Sequence, residues 1–307
     1  MKPTSIVFLA VSVLLIVGGI ITCFVAKGVA AKEEIQLFPE YKDGQSRLTS
    51  QFSDSEVTMI DITVQDATVK VFGGAEKSYI EIINYKTNYY TFSKSSRVLT
   101  FIEIPDVLSM LKFWENGFSF TGIRNLIYIA RADLGDKMIN IYISDDDAIK
   151  QLKVKVDNGN LTVANLSCSA SYDLSVNNGS LTVDGVKTND RLTINSDSKL
   201  GVKLTNVTFG TVKANLKSAT FNADNASHAK SAEINIDSGS VSLVSSLIDT
   251  NYSLSTKSGK IILWGEEKNS PQSSLYDDGT EYTYKLTITS NTADINVSAP
   301  ASDTDAE

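Results

Sequence analysis

From about residue 57 onward the chain is built of short runs in which apolar and polar residues alternate. Met59-Ile60-Asp61-Ile62-Thr63-Val64, Thr68-Val69-Lys70-Val71-Phe72 and Tyr79-Ile80-Glu81-Ile82-Ile83 all follow this pattern. Successive side chains of a strand point to opposite faces, so alternation carried by β-branched and aromatic residues predicts half-buried strands. Helical spacing stands out only over 106–115, DVLSMLKFWE. The chain therefore reads as all-β with one short helical insertion.

Over 152–265 the pattern repeats with a period of 20. Turn residues mark the register. Asp157-Asn158-Gly159-Asn160 and Asn177-Asn178-Gly179-Ser180 lie 20 apart, and Asp237-Ser238-Gly239-Ser240 and Lys257-Ser258-Gly259-Lys260 fall in step with them. The third and fourth copies, Asp197-Ser198-Lys199-Leu200 and Lys217-Ser218-Ala219-Thr220, keep the spacing without the glycine. Glycine, Asn and Asp at a turn tolerate positive φ. Apolar columns agree with the turns. Leu152, Tyr172, Leu192, Val212, Ala232 and Tyr252 form one column, and Val154, Leu174, Ile194, Ala214, Ile234 and Leu254 the next. After the turn, Leu161, Leu181, Gly201, Phe221, Val241 and Ile261 form a third, broken at Gly201, where Val202 and Leu204 imply a one-residue slip or bulge.

Each copy thus predicts a strand, a tight turn, a second strand and a return. No copy covers its own apolar side, so six copies stacked about 4.8 Å apart would bury one continuous stripe. An antiparallel meander with Asn-Gly hairpins explains the turns equally well. It does not require a constant interval, whereas a solenoid does, and the period favours a β-solenoid-like stack. Open stack ends need covering. Residues 51–150 are expected to cap the first end, and Leu286–Thr289 with Ile295–Val297 to close the other. Phe113, Trp114, Phe118 and Phe120, the densest aromatic cluster, are expected to fold over the first repeat rather than to meet lipid, since Lys112 beside Glu115 makes no basic patch.

Ahead of the strands, Thr4–Ala26 runs 23 residues without a charge between Lys2 and Lys27. About 20 apolar residues span a bilayer core, so this segment predicts a single transmembrane helix. A cleaved signal peptide is the rival, with Gly28-Val29-Ala30-Ala31 as a small-residue site, but its apolar region is usually shorter. Cys23 follows Thr22 rather than a small residue, and reads as apolar filler rather than a lipidation site. Flanking lysines do not decide orientation. The β-rich remainder without a second span points to an extracytoplasmic carboxyl-terminal domain on a single-pass cell-membrane anchor. The layout expected is an anchor over 1–27, a polar stalk over 28–50, a cap region over 51–150, repeats over 151–299 and a disordered acidic tail over 300–307.

Charge and residue counts narrow the chemistry. Thirty-six Asp+Glu against 28 Lys+Arg give a formal charge of −8, which argues against a nucleic-acid partner. One histidine and two cysteines exclude zinc fingers and a disulfide framework. His228 sits in an expected return loop without a Gly-x-Ser-x-Gly elbow elsewhere, and reads as an exposed loop residue. Asp145-Asp146-Asp147 lacks the spacing and glycine of a calcium loop and reads as a solvated turn. Asp157 and Asp237 could pair for glycan cleavage, but Asp at a turn needs no further reason. No catalytic, cofactor-binding or metal-ligating residue is assigned, and no cofactor is expected.

The uncharged amino-terminal run, the strands IDITVQDATVKVFGG (60–74), the segment KMINIYISDDDAIKQLKVKVDNGNLTVANL (137–166) and the following strand–Asn-Gly–strand units together resemble a bacterial β-strand-repeat surface protein family of unknown function, often given an adhesin label. The resemblance covers about 55–300. It implies a β-solenoid-like domain, and some members are encoded beside envelope-stress regulators. It carries no catalytic residues over to this chain, and the missing glycines of the third and fourth copies depart from its pattern. The functional expectation is a membrane-anchored, non-enzymatic, adhesin-like module whose rows of Ser, Thr, Asn and Lys suit weak multivalent contacts. Its partner would be an envelope protein or a cell-wall glycan. The alternative is an accessory or sensory component of a cell-envelope stress response.

Overall fold

The computed structural model describes residues 47–53, 56–85, 90–104, 136–144, 149–167, 170–224, 228–244, 250–273 and 283–299. All belong to one of the chain's two compact units, 45–105 with 134–307. The expected membrane helix, most of the stalk, the helical insertion with its aromatic cluster, Asp145–Asp147 and the acidic tail lie outside the described residues.

Alternation does produce strands, 21 of them among the described residues. The strands of the repeats stack in parallel, which settles the choice between solenoid and meander. Gln151–Asn158 pairs in parallel with Ser171–Asn178, placing Leu152 beside Tyr172 and Val154 beside Leu174. Beyond the turn, Leu161–Ala164 pairs in parallel with Leu181–Asp184. A hairpin meander would make these pairings antiparallel. Each copy therefore contributes one strand to a first wall and one to a second, and the alternating inward side chains of both walls fill the space between. Leu174, Ile194, Val154, Val163 and Val183 are fully buried there. Burying such a side chain contributes about 1.5–3 kcal/mol, so the shared core holds the copies together.

Parallel stacking also explains the turn glycines. A Cβ on Gly179, whose φ is +150°, would lie 1.7 Å from the carbonyl oxygen of Gly159 in the copy below. Gly159 approaches the Ala67 carbonyl in the same way, at 2.1 Å. In the third copy the expected slip is present. Leu181 pairs with Val202 rather than Gly201, and the extra residue lengthens the turn. The glycine-free fourth copy makes no break at all. Thr208–Ala223 is one continuous strand, parallel to His228–Val244 along both walls, with Ala219 buried at the bend.

The order of copies departs from expectation at both ends. Five successive copies stack in chain order, but the sixth does not lie on the fifth. Tyr284–Ser290 and Asp294–Ser298, expected to close the stack, instead pair with His228–Val244 on one side. On their other side they pair with Thr250–Thr256 and Ile261–Leu263. The carboxyl-terminal strands thus slide in between the fifth and sixth copies. A matching intercalation occurs at the first end. Met59–Asp66 and Thr68–Phe72 form a full rung directly on Gln151–Ala164. Val98–Glu103 and Met138–Tyr142 stack outside that rung, in parallel. The result, among the described residues, is nine rungs, a core about 38 Å long at ordinary strand spacing.

Antiparallel strands close the stack. Tyr90–Ser95 covers Val98–Glu103, and Tyr79–Ile83 followed by Arg47–Gln51 covers Met138–Tyr142. At the far end, Gln272–Ser273 and Glu266–Lys268 cover the sixth copy. A parallel edge would expose a row of unpaired donors and acceptors, and these short antiparallel strands pair with it.

Glu103 makes the first closure. It falls in the inward column beyond Phe101, one position past the Thr63–Ile102 pair, where the outermost parallel strand of the first wall ends. Its side chain is 3% exposed. One carboxylate oxygen accepts the backbone N–H groups of Gln65 (2.6 Å) and Asp66 (3.2 Å), which have no further rung to pair with. The other accepts Lys137 Nζ at 2.5 Å, and the Tyr85 hydroxyl donates to the first oxygen from 3.4 Å. Burial first, then the charge of Glu103, pushes the Tyr85 hydroxyl well above its ordinary range. The carboxylate replaces the missing strand.

Candidate functional site

The first wall turns a polar lattice outward. Between each pair of inward residues sits one outward residue, and parallel registry lines these up into rows across the strands. Asn195, Asn215, Asn235 and Thr289 form one row on four successive rungs. Asp197, Lys217, Asp237 and Asn291 form a second, two residues further along each chain. Between the rows runs a groove of about 400 Å³, floored by Ser196, Leu216, Ile236 and Ser290 and extended by Asn177. Those floor side chains are buried, 3–5% exposed, so backbone forms the base.

Each charged side chain of the groove has a hydrogen-bond partner. Lys217 Nζ lies 2.9 Å from Asp197, and this hydrogen bond and the carboxylate's charge hold the ammonium above its ordinary range. Asn291 donates its amide to Asp237 at 2.9 Å. The amide row is loosely linked. Asn215 Nδ2 donates to Asn195 Oδ1 at 3.2 Å, and Asn235 Nδ2 to Asn215 Oδ1 at 3.5 Å. Ordinary N–H···O bonds are 2.7–3.2 Å, so the second link is weak. Asn235 also donates to Glu233, and that bond, followed by Lys213, draws the Glu233 carboxyl below the usual range.

The candidates read from the sequence fall elsewhere or apart. His228 opens a strand, its backbone opposite Thr208, rather than lying in a loop. Asp157 and Asp237 occupy the same row four rungs apart, about 19 Å at strand spacing. Paired glycosidase carboxylates lie about 5–9.5 Å apart, so these two do not form such a pair. Among the described residues no three His, Cys, Asp or Glu side chains gather as a metal site. The groove itself was missed because attention to apolar columns passes over the polar ones. A signal exists: Asn is depleted in strands, yet Asn195, Asn215 and Asn235 recur at the period inside strands.

A family model described as Toastrack DUF4097 matches residues 57–298. The chain belongs to that family. The matched span of this Toastrack DUF4097 protein begins beside the first strand of the rung Met59–Phe72 and ends with the last residue of the strand Asp294–Ser298. Among solved structures, a candidate cell adhesion protein from Clostridium sporogenes is 12% identical, with 83% of this chain and 99% of that one covered and a TM-score of 0.34. A candidate adhesin from Bacteroides fragilis is 10% identical, with 85% and 98% covered and a TM-score of 0.37. A candidate lipid-binding protein from Parabacteroides distasonis is 11% identical, with 83% and 95% covered and a TM-score of 0.36. No curated protein sequence matches the chain.

Proposed function

We propose that this Toastrack DUF4097 protein is a membrane-anchored, extracytoplasmic, non-enzymatic interaction module, adhesin-like in use. The single observation that carries the reading is the outward face of the first wall. It is a rigid lattice of amide, hydroxyl and paired charged groups, repeated rung after rung over one continuous core. Such a surface suits many weak contacts rather than one deep catalytic pocket. The uncharged run Thr4–Ala26 supports anchoring by a single helix, with the stack outside. Among the described residues no helix is long and apolar enough to cross a membrane, and Thr4–Ala26 lies outside them.

Protease added to intact cells tests the placement. The stack is expected to be accessible, so an epitope near residue 250 is lost without lysis. Digestion only after lysis would reverse the orientation. Surface attachment is tested by comparing cells with and without the protein for binding to envelope material of neighbouring cells. Equal binding would remove the interaction role.

A further inference from the structure

We infer that the groove between the Asn195–Thr289 and Asp197–Asn291 rows binds an uncharged, hydroxyl-rich glycan chain laid across the strands. The inference rests on the surface-interaction reading above and names the ligand class of that face.

Recognition of sugar hydroxyls needs planar amides, which donate and accept side by side, and carboxylates that accept. The groove supplies Asn195, Asn215 and Asn235 on one side and Asp197 and Asp237 on the other. The Asn235–Asn215 link is long, at 3.5 Å, so a sugar hydroxyl donating to Asn215 Oδ1 exchanges a weak bond for a good one. Three strand asparagines in one row also run against strand propensity, a local cost that the loose ladder does little to offset.

Other ligand classes fit less well. One lysine against two aspartates, on a chain of net charge −8, disfavours an anionic polymer. A lipid tail finds no apolar wall, since Leu216 and Ile236 point into the core. An extended peptide adding to a sheet needs unpaired backbone, and here the floor strands are paired on both sides. Rungs recur about every 4.8 Å, close to the span of one sugar ring, so a linear glycan meets a further pair of polar side chains at each step. The volume of about 400 Å³ suits a short stretch of such a chain.

The stacked aromatics Phe72, Tyr142 and Tyr79 on the second wall offer no comparable platform. The rings of Tyr79 and Tyr142 stack on each other at 4.5 Å, turning their faces to one another rather than outward.

The test uses the full-length protein in a detergent without a sugar headgroup, titrated with chitohexaose and with cellohexaose by calorimetry. Polyglycerol phosphate serves as the anionic comparison. Wild type is expected to bind at least one neutral oligosaccharide and not the anionic polymer. Asn235→Asp and Asn215→Ala are expected to weaken binding at least about fivefold each, the loss of one well-made hydrogen bond. Thr182→Ala, on the outward face of the second wall, is expected to leave it unchanged. Thermal melting of each variant, unshifted from wild type, separates lost contacts from lost fold. Equal glycan binding by wild type and both asparagine variants overturns the groove assignment. Preferential binding of the anionic polymer overturns the ligand class. Failure to bind either oligosaccharide, with cell attachment intact in the assay above, overturns the glycan inference and leaves the surface role standing. Failure of both overturns the two together.

Discussion

Replacing Glu103 tests how the stack is terminated. Glu103→Ala removes the acceptor of the Gln65 and Asp66 N–H groups and the partner of Lys137 at once. Each part-buried donor loses a charge-assisted hydrogen bond, and Lys137 loses its counter-charge. Breaking a buried ion pair from one side costs about 3–5 kcal/mol. Lys137 is 28% exposed and regains some hydration, which places the expected loss at the low end, about 3 kcal/mol. Glu103→Gln keeps the shape and one carbonyl acceptor for Gln65, so its cost should be about 1–2 kcal/mol, the difference between charged and neutral acceptors. The 3.4 Å contact from Tyr85 adds little. Equilibrium urea unfolding followed by far-ultraviolet circular dichroism reads both values. The order Ala worse than Gln worse than wild type is required. If Glu103→Ala lies within about 0.5 kcal/mol of wild type, the range of ordinary surface changes, the carboxylate is not standing in for a strand.

Leu174→Asp should cost several kcal/mol or abolish folding, because Leu174 is fully buried, whereas Asp173→Ala on the outward face should cost about 0.5 kcal/mol or less; equal shifts in urea midpoint would mean that the inward column is wrongly assigned. Gly179→Ala should destabilise by well over the ~1 kcal/mol of backbone strain alone, since its Cβ meets a backbone oxygen at 1.7 Å, while Gly74→Ala, with open space around it, should cost only that strain; thermal melts showing the two alike would contradict the close stacking of turns. Tyr85 holds its proton more tightly folded than unfolded, so its contribution is full below the unfolded value near pH 10 and is lost as pH rises beyond it. Unfolding between pH 9 and 11.5 should show a steeper loss of stability in wild type than in Tyr85→Phe, and parallel curves would count against a buried neutral hydroxyl.

Alternation and period alone determined much of this protein. Val154, Leu174 and Ile194 were legible as one inward column because strand side chains have a period of 2 and the copies a period of 20. The turn glycines were legible because only certain residues accept positive φ. Even the slip at Gly201 showed, as a column displaced by one. The polar groove was legible in principle through its row of strand asparagines, but its concavity depends on four rungs meeting side by side.

Which rung lies on which was decided only in three dimensions. Strand pairing runs through the backbone, which is the same in every copy, and each copy offers the same inward apolar pattern to either neighbour. Nothing local therefore told Leu286 and Ile288 to lie between Ile234 and Leu254 rather than beyond them. Likewise Ile60 and Ile62 could as well have lain outside Leu99 and Phe101 as inside. The antiparallel closing strands settle the order, because a strand that ends the stack needs an antiparallel partner on its free edge. Glu266–Lys268 follows Ile261–Leu263 closely enough to provide one, as Tyr90–Ser95 does for Val98–Glu103. Glu103 is the clearest case: an acid at an inward position looks like a broken alternation in the sequence. Only the end of the stack, where two N–H groups lack a strand, gives that acid its reason.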